Sequence, residues 1–272
     1  MSAVIEAPAR AGGVRALWAG NPQSVVQRGL IAARSSSWAV VLSGFFEPVF
    51  YLASMGIGLG SLIGDIETSA GIAVPYAAFI APALLAVSAI NGAIYDSTWN
   101  VFFKLNYGKL YEGMLATSLG PLDVALGEIL YALLRGLLYA SGFLIIMQFA
   151  GLNLSWTAIL ALPAVMLIAF GFASLGMAVT SYMKAFQHMD WINFVMLPMF
   201  LFSATFYPIT VYPEWVQAIV RALPLWHGVE LVRGLTTGSL HVGMLWHVLY
   251  YLVMIAIGLV FTTKRLRALF LD

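Results

Sequence analysis

Three ionisable side chains, Glu47, Glu128 and Arg135, fall inside long apolar stretches of this chain. A charge at the centre of a bilayer costs about 2.5 to 3.5 kcal/mol even on the lenient insertion scale, so each of them requires a partner or a function. Glu128 and Arg135 share a helix face, but about 10 Å of helical rise keeps them from pairing directly. The expectation is that Glu47 on the first stretch and Arg135 on the third neutralise one another across a helix contact, with a structural and a transport role both open.

Other chemistry is sparse. His188, His227, His241 and His247 have neither His-Glu-x-x-His spacing nor paired carboxylates beside them, so no metal site is expected. No Gly-x-Ser-x-Gly elbow is present, and no catalytic residues are assigned. Gly108-Lys109-Leu110 lacks the leading glycine and the hydroxyl of a phosphate-binding loop, so the chain is not expected to hydrolyse ATP or to bind a cofactor of its own. Gly56-Ile57-Gly58-Leu59-Gly60 is a poor match to a dinucleotide fingerprint; the Gly56/Gly60 and Gly60/Gly64 spacings instead suit close helix packing. With no cysteine, disulfides, thiol nucleophiles and cysteine metal sites are excluded.

The elements that hold these residues belong in a bilayer. Of 272 residues, 61% are hydrophobic and only 9% charged, too little polar surface to coat a soluble domain. A net charge of +1 gives no field for nucleic acid, which is excluded as a partner. Six apolar segments lie at 38–63, 71–94, 122–149, 156–183, 191–211 and 243–263. At ~1.5 Å per residue the first exceeds the ~30 Å hydrocarbon core. Pro48, Pro82, Pro163 and Pro198 should kink their spans.

Arg10, Arg15, Arg28, Arg34, Lys104, Lys109, Lys184, Lys264, Arg265 and Arg267 fall on one side of this topology, and only Arg221 and Arg233 on the other. Both termini of a multi-pass protein of the cell membrane are therefore expected in the cytoplasm. Residues 1–37 show no apolar signal core, so the first span is expected to direct insertion. They read as a cytoplasmic segment with an amphipathic helix over 14–34, interrupted at Gly20-Asn21-Pro22. Residues 38–263 then form the six-helix domain and 264–272 a cytoplasmic tail. The aromatic, charged loop 95–121 suits a short helix along the inner face, either an interfacial connector or a docking surface. Residues 208–242 are too apolar for a solvated loop and too broken to span; Pro213 and Pro224 bound helices expected to dip into the outer leaflet as a re-entrant hairpin.

Several of these segments carry recognisable motifs: Glu47-Pro48-Val49-Phe50-Tyr51-Leu52, Tyr111-Glu112-Gly113-Met114-Leu115-Ala116-Thr117, Phe202-Ser203-Ala204-Thr205-Phe206-Tyr207-Pro208 and Leu223-Pro224-Leu225-Trp226-His227-Gly228-Val229-Glu230-Leu231-Val232-Arg233-Gly234. In this order they resemble the permease subunits of ABC-2 exporters, nearest the nodulation-factor and daunorubicin branch. Ser118 departs from the family pattern, which has proline after Thr117.

The resemblance implies an all-α membrane protein of six transmembrane helices, with an N-terminal amphipathic helix, a cytoplasmic coupling helix and an outer re-entrant hairpin. It implies a second permease copy or a paralogue and a separate ATP-binding cassette ATPase that holds ATP and Mg. Residues 103–115 map to the coupling helix, with Lys104, Tyr107, Lys109, Tyr111, Glu112 and Leu115 facing the ATPase. A path for a lipid, glycolipid or drug would be lined by Phe46, Glu47, Phe50, Tyr51, Phe202, Phe206 and Tyr207, with an outer gate at Trp215, Trp226, Glu230 and Arg233. Aromatic residues on spans one and five suit such cargo, though ordinary lipid-facing packing accounts for them equally. An ion-coupled transporter or an intramembrane enzyme is the alternative; each requires repeats or clustered titratable groups that the sequence does not display.

Overall fold

The computed structural model describes residues 17–33, 46–69 and 71–271. The chain is mainly helical. An amphipathic helix, α1 (Pro22–Ala33), begins at the proline that the sequence marks as a restart, where a preset φ favours the first helical turn. The expected residues 14–16 and 38–45 lie outside the described residues. The first spanning segment is described as α2 (Phe46–Ile63), whose middle, Leu52–Leu59, is wound as a π-helix.

Two short strands follow, β1 (Asp65–Glu67) and β2 (Ala73–Pro75), paired antiparallel with Ile66 opposite Val74. This small hairpin is a loop feature within an otherwise helical, all-α membrane protein. Helix α3 (Tyr76–Asn106) passes through a π-helical turn at Asp96–Asn100 and ends far beyond the expected 71–94. After a break comes α4 (Leu110–Leu115), then α5 (Pro121–Phe149) and α6 (Trp156–Tyr182). Helix α7 (Asp190–Phe202), α8 (Glu214–Ala222), α9 (Pro224–Thr237) and α10 (Met244–Phe270) complete the order.

Five of these helices, α2, α3, α5, α6 and α10, are long and apolar enough to cross a membrane. The expected span at 191–211 is not a single long helix: α7 rises only about 20 Å over Asp190–Phe202. Its end is sealed by hydroxyls, Ser203 Oγ donating to the Met199 carbonyl at 2.5 Å and Thr205 Oγ1 to that of Phe200 at 2.8 Å, while Ala204 takes a left-handed φ of 55°. Helix α10 runs on through residues 264–270, where it buries Leu266 and places Arg265 over the Tyr182 ring.

Helix α3 is the centre of the bundle. From Tyr76 to Ile94 it is apolar nearly all round and mostly buried, which is how a helix enclosed by others must be composed. Small residues let its neighbours approach: a Cβ on Gly92 would meet the Gly136 nitrogen of α5 at 3.0 Å. Between α6 and α10, a Cβ on Gly258 would meet the Ser174 carbonyl carbon at 2.5 Å. The expected glycine packing on α2 is only partly realised. Gly56 faces Ala77, whereas Cβ atoms at Gly60 and Gly64 would meet nothing within 4 Å.

Candidate functional site

At one end of the bundle the polar residues of three elements converge on α5. Gly120 opens this helix and Pro121 follows, with the Asp123 carboxylate turned back to accept the Gly120 N–H at 2.9 Å. The same buried carboxylate accepts the Ala19 and Asn21 N–H groups at 2.6 and 2.8 Å, fixing the turn that leads into α1. Helix α1 then lies along α5 so closely that a Cβ on Gly127 would sit 2.5 Å from the Val25 Cβ. At the next residue, Glu128 is 3% exposed and takes Arg28 of α1 on one oxygen at 3.0 Å and Lys104 of α3 on the other at 2.5 Å. An intramembrane charge that the sequence left without a partner is thus doubly neutralised.

The coupling segment separates into buried and exposed members. Lys104 joins the Glu128 junction, with its side chain 20% exposed. Tyr111 is fully buried and Leu115 2% exposed, so neither can face another subunit directly; both anchor α4 to the bundle. Burial, with the Glu128 charge adding to it, pushes the Tyr111 hydroxyl well above its ordinary pKa. Tyr107, Lys109 and Glu112 are exposed. Lys109 holds a left-handed φ of 47°, and Tyr107 packs its ring 5.5 Å from Phe103, so the break before α4 is a shaped corner.

The expected Glu47–Arg135 pair is not formed. Arg135 Nε instead lies 2.9 Å from Asp96 Oδ2, its guanidinium is 5.1 Å from the Tyr95 ring centre, and Asn100 donates to the other Asp96 oxygen. Asp96 escaped the sequence reading because it was assigned to a loop, whereas helix α3 carries it into the bundle, 2% exposed.

Glu47 and Arg135 nevertheless share a cleft. It encloses about 660 Å³ between α2, α3, α5 and α7, walled by apolar side chains including Leu84, Val87, Ile90, Met196 and Phe200. Glu47, Asn91, Arg135 and Asn193 supply its charged and carboxamide groups, and Tyr51, Tyr95, Trp99 and Tyr139 also line it. A mostly apolar hollow with a few polar groups is what an amphiphile-sized ligand requires. Asn91, Asn193 and Met196 were not singled out from sequence; their helical positions beside the aromatic motifs were the available signal.

Of the other expected path residues, Tyr51 lines this cleft and touches Phe200 edge-on at 5.6 Å and Phe206 at 6.2 Å. Phe206 and Tyr207 line a second apolar hollow of about 570 Å³, which Tyr51 also borders. Phe46 and Phe50 stack at 5.6 Å on the exposed face of α2, and Phe202 is half-exposed beside Tyr212. Tyr51 is thus the shared wall between the two hollows.

At the opposite end, α8 and α9 meet at Leu223-Pro224, and Gly238 ends α9 with a φ of 79°. Arg233 is 3% exposed and held on every side: its Nε donates to the Phe79 carbonyl at 3.3 Å, Nη1 to Glu230 at 2.7 Å and Nη2 to the Ala204 carbonyl at 2.9 Å. It also stacks 3.9 Å from the Phe79 ring centre. Arg233, steadied by Glu230 of the same helix, therefore ties α9 to α3 and to the end of α7. Trp226 packs edge-on against His227 and His247, whose Nδ1 atoms lie 2.7 Å apart. Burial, with the His247 ring beside it, lowers the His227 pKa to about 4. Trp215, by contrast, is 71% exposed.

A multi-pass membrane bundle with an amphiphile-sized cleft between its spans and an ordered, charged end defines a class of membrane transport protein. The chain belongs to the ABC-2 type transporter family, whose profile matches residues 23–237. It is 31% identical over 243 residues to Nodulation protein J of Rhizobium leguminosarum bv. viciae, covering 86% of this chain and 92% of that protein. Nodulation protein J of Rhizobium leguminosarum bv. trifolii is 30% identical over 246 residues, 90% of this chain and 92% of its own length. That of Sinorhizobium fredii is 31% identical over 212 residues, 77% and 79% respectively.

Proposed function

We propose that this chain is the permease subunit of an ATP-driven exporter that moves a hydrophobic or amphiphilic substrate from the cytoplasm or inner leaflet outward. The single observation that carries this reading is the 660 Å³ cleft between α2, α3, α5 and α7. Its apolar walls match an acyl or aromatic body and its polar groups match a head. Family membership supports the division of labour, with a separate ATP-binding cassette subunit binding ATP and Mg. In this reading both termini and the Glu128 junction face the cytoplasm, and Tyr107, Lys109 and Glu112 meet the ATPase. Helix α7 together with its irregular continuation makes the sixth crossing, and α8 and α9 form a hairpin in the outer leaflet above the exit. The exposed aromatic face of α2 and the exposed face of α7 meet a second permease copy or a paralogue.

The test exploits a chain without cysteine. A single cysteine placed at Met196, in the wall of the cleft, is labelled with a bulky maleimide in the assembled complex in vesicles. Export is expected to stop while the ATPase remains bound; undiminished export by fully labelled complex refutes the path. Failure of the purified chain to recover any ATPase subunit from its native membrane would remove the division of labour.

A further inference from the structure

Among the described residues, the cleft holds one charge without an opposite partner. Arg135 is neutralised by Asp96 at 2.9 Å. The side chains of Glu47, Asn91 and Asn193 border the same cleft, and among the described residues they make no hydrogen bond or ion pair. Glu47 and Asn193 are exposed to the cleft and Asn91 is half-buried, so an acceptor-only carboxylate and two carboxamides are open to a ligand against apolar walls. The apolar surround strengthens any pairing that does form there.

We propose, resting on the export reading above, that the cleft selects amphiphiles whose head carries a protonated amine, with Glu47 as its counter-charge and Asn91 and Asn193 as flanking partners. An ammonium supplies three donors and the missing positive charge. A neutral hydroxylated head supplies donors but leaves the carboxylate's charge standing. An anionic head meets repulsion from Glu47, because Arg135, the one cation among the described cleft residues, is already occupied by Asp96. Recognition of this kind places the head near the start of α2 and the tail along Leu84, Val87 and Met196 toward Tyr51.

The full chain in lipid nanodiscs is titrated with three dodecyl amphiphiles, an amine, a maltoside and a carboxylate, each carrying its bromine on the tail carbons beside the head. Bromine quenches tryptophan at contact, and Trp99 lines the cleft, so the signal is the quenching lost on Trp99→Phe. The amine is expected to half-saturate at a concentration about tenfold below the maltoside, with no Trp99 signal from the carboxylate. Glu47→Gln should bring the amine within about twofold of the maltoside, and Glu47→Asp should restore the preference. Asn193→Asp, at an exposed position, should tighten the amine further. Equal saturation by amine and maltoside, an amine preference unchanged in Glu47→Gln, or no tightening in Asn193→Asp each overturns the head assignment and leaves the cleft as a path. Absence of any Trp99 quenching by all three overturns both.

Discussion

Glu128→Gln is the sharpest test of how the charged end is built. The substitution keeps the shape of the side chain and removes its charge, leaving Arg28 and Lys104 facing one another across a site whose centre is 3% exposed. Removing one member of a buried ion pair costs about 3 to 5 kcal/mol. Arg28 is 34% exposed and Lys104 20%, so water recovers part of that loss, and about 2 to 3 kcal/mol is the expected penalty. Stability is measured by reversible unfolding in mixed micelles, in a cycle with Lys104→Met. The double substitution should be less destabilising than the sum of the singles by about 1 kcal/mol or more, because removing the lysine relieves the repulsion. Trypsin cleavage at Arg28 should accelerate in Glu128→Gln, since the loss falls on the docking of α1. Wild-type stability together with additive effects and unchanged cleavage would refute the junction.

Further predictions concern the other contacts. Glu112→Arg, on the exposed first turn of α4, should leave expression and insertion intact but lower the ratio of export to ATP hydrolysis; wild-type export and hydrolysis would remove its coupling role. Gly258→Leu should abolish monodisperse protein, because even its Cβ would press on the Ser174 backbone at 2.5 Å; a mutant eluting as wild type in size exclusion would contradict that packing. The folded-state pKa of His227 is depressed from 6.5 to about 4, so the unfolded chain takes up the proton first as pH falls. Its contribution to stability is therefore full above about pH 6.5 and declines toward pH 4, and His227→Gln should flatten that part of the profile.

The membrane class, the order of elements and most helix positions were legible because apolar length and proline position act locally. The expected 122–149 and the observed Pro121–Phe149 differ by one residue at the start, where Pro121 closes off other conformations. What the sequence hid were pairings across the bundle. Asp96 and Arg135 are far apart in sequence, and no local pattern distinguishes that partner from Glu47. Tyr111 sits in a charged, aromatic motif that reads as surface, yet the corner at Lys109 turns it inward. The shortness of α7 was equally hidden, since Ser203 and Thr205 are compatible with a spanning helix until their hydroxyls close its end.

The continuity of α3 has a mechanical consequence. From Tyr76 to Asn106 it is one rod about 46 Å long, carrying Asn91 in the cleft and Lys104 at the charged end roughly 20 Å apart. A push delivered beside Lys104 therefore arrives at the cleft wall as a tilt of the same solid body. Between Asn91 and Lys104 the π-helical turn at Asp96–Asn100 is where that lever would bend, and the Arg135 ion pair with Asp96 is the splint across it.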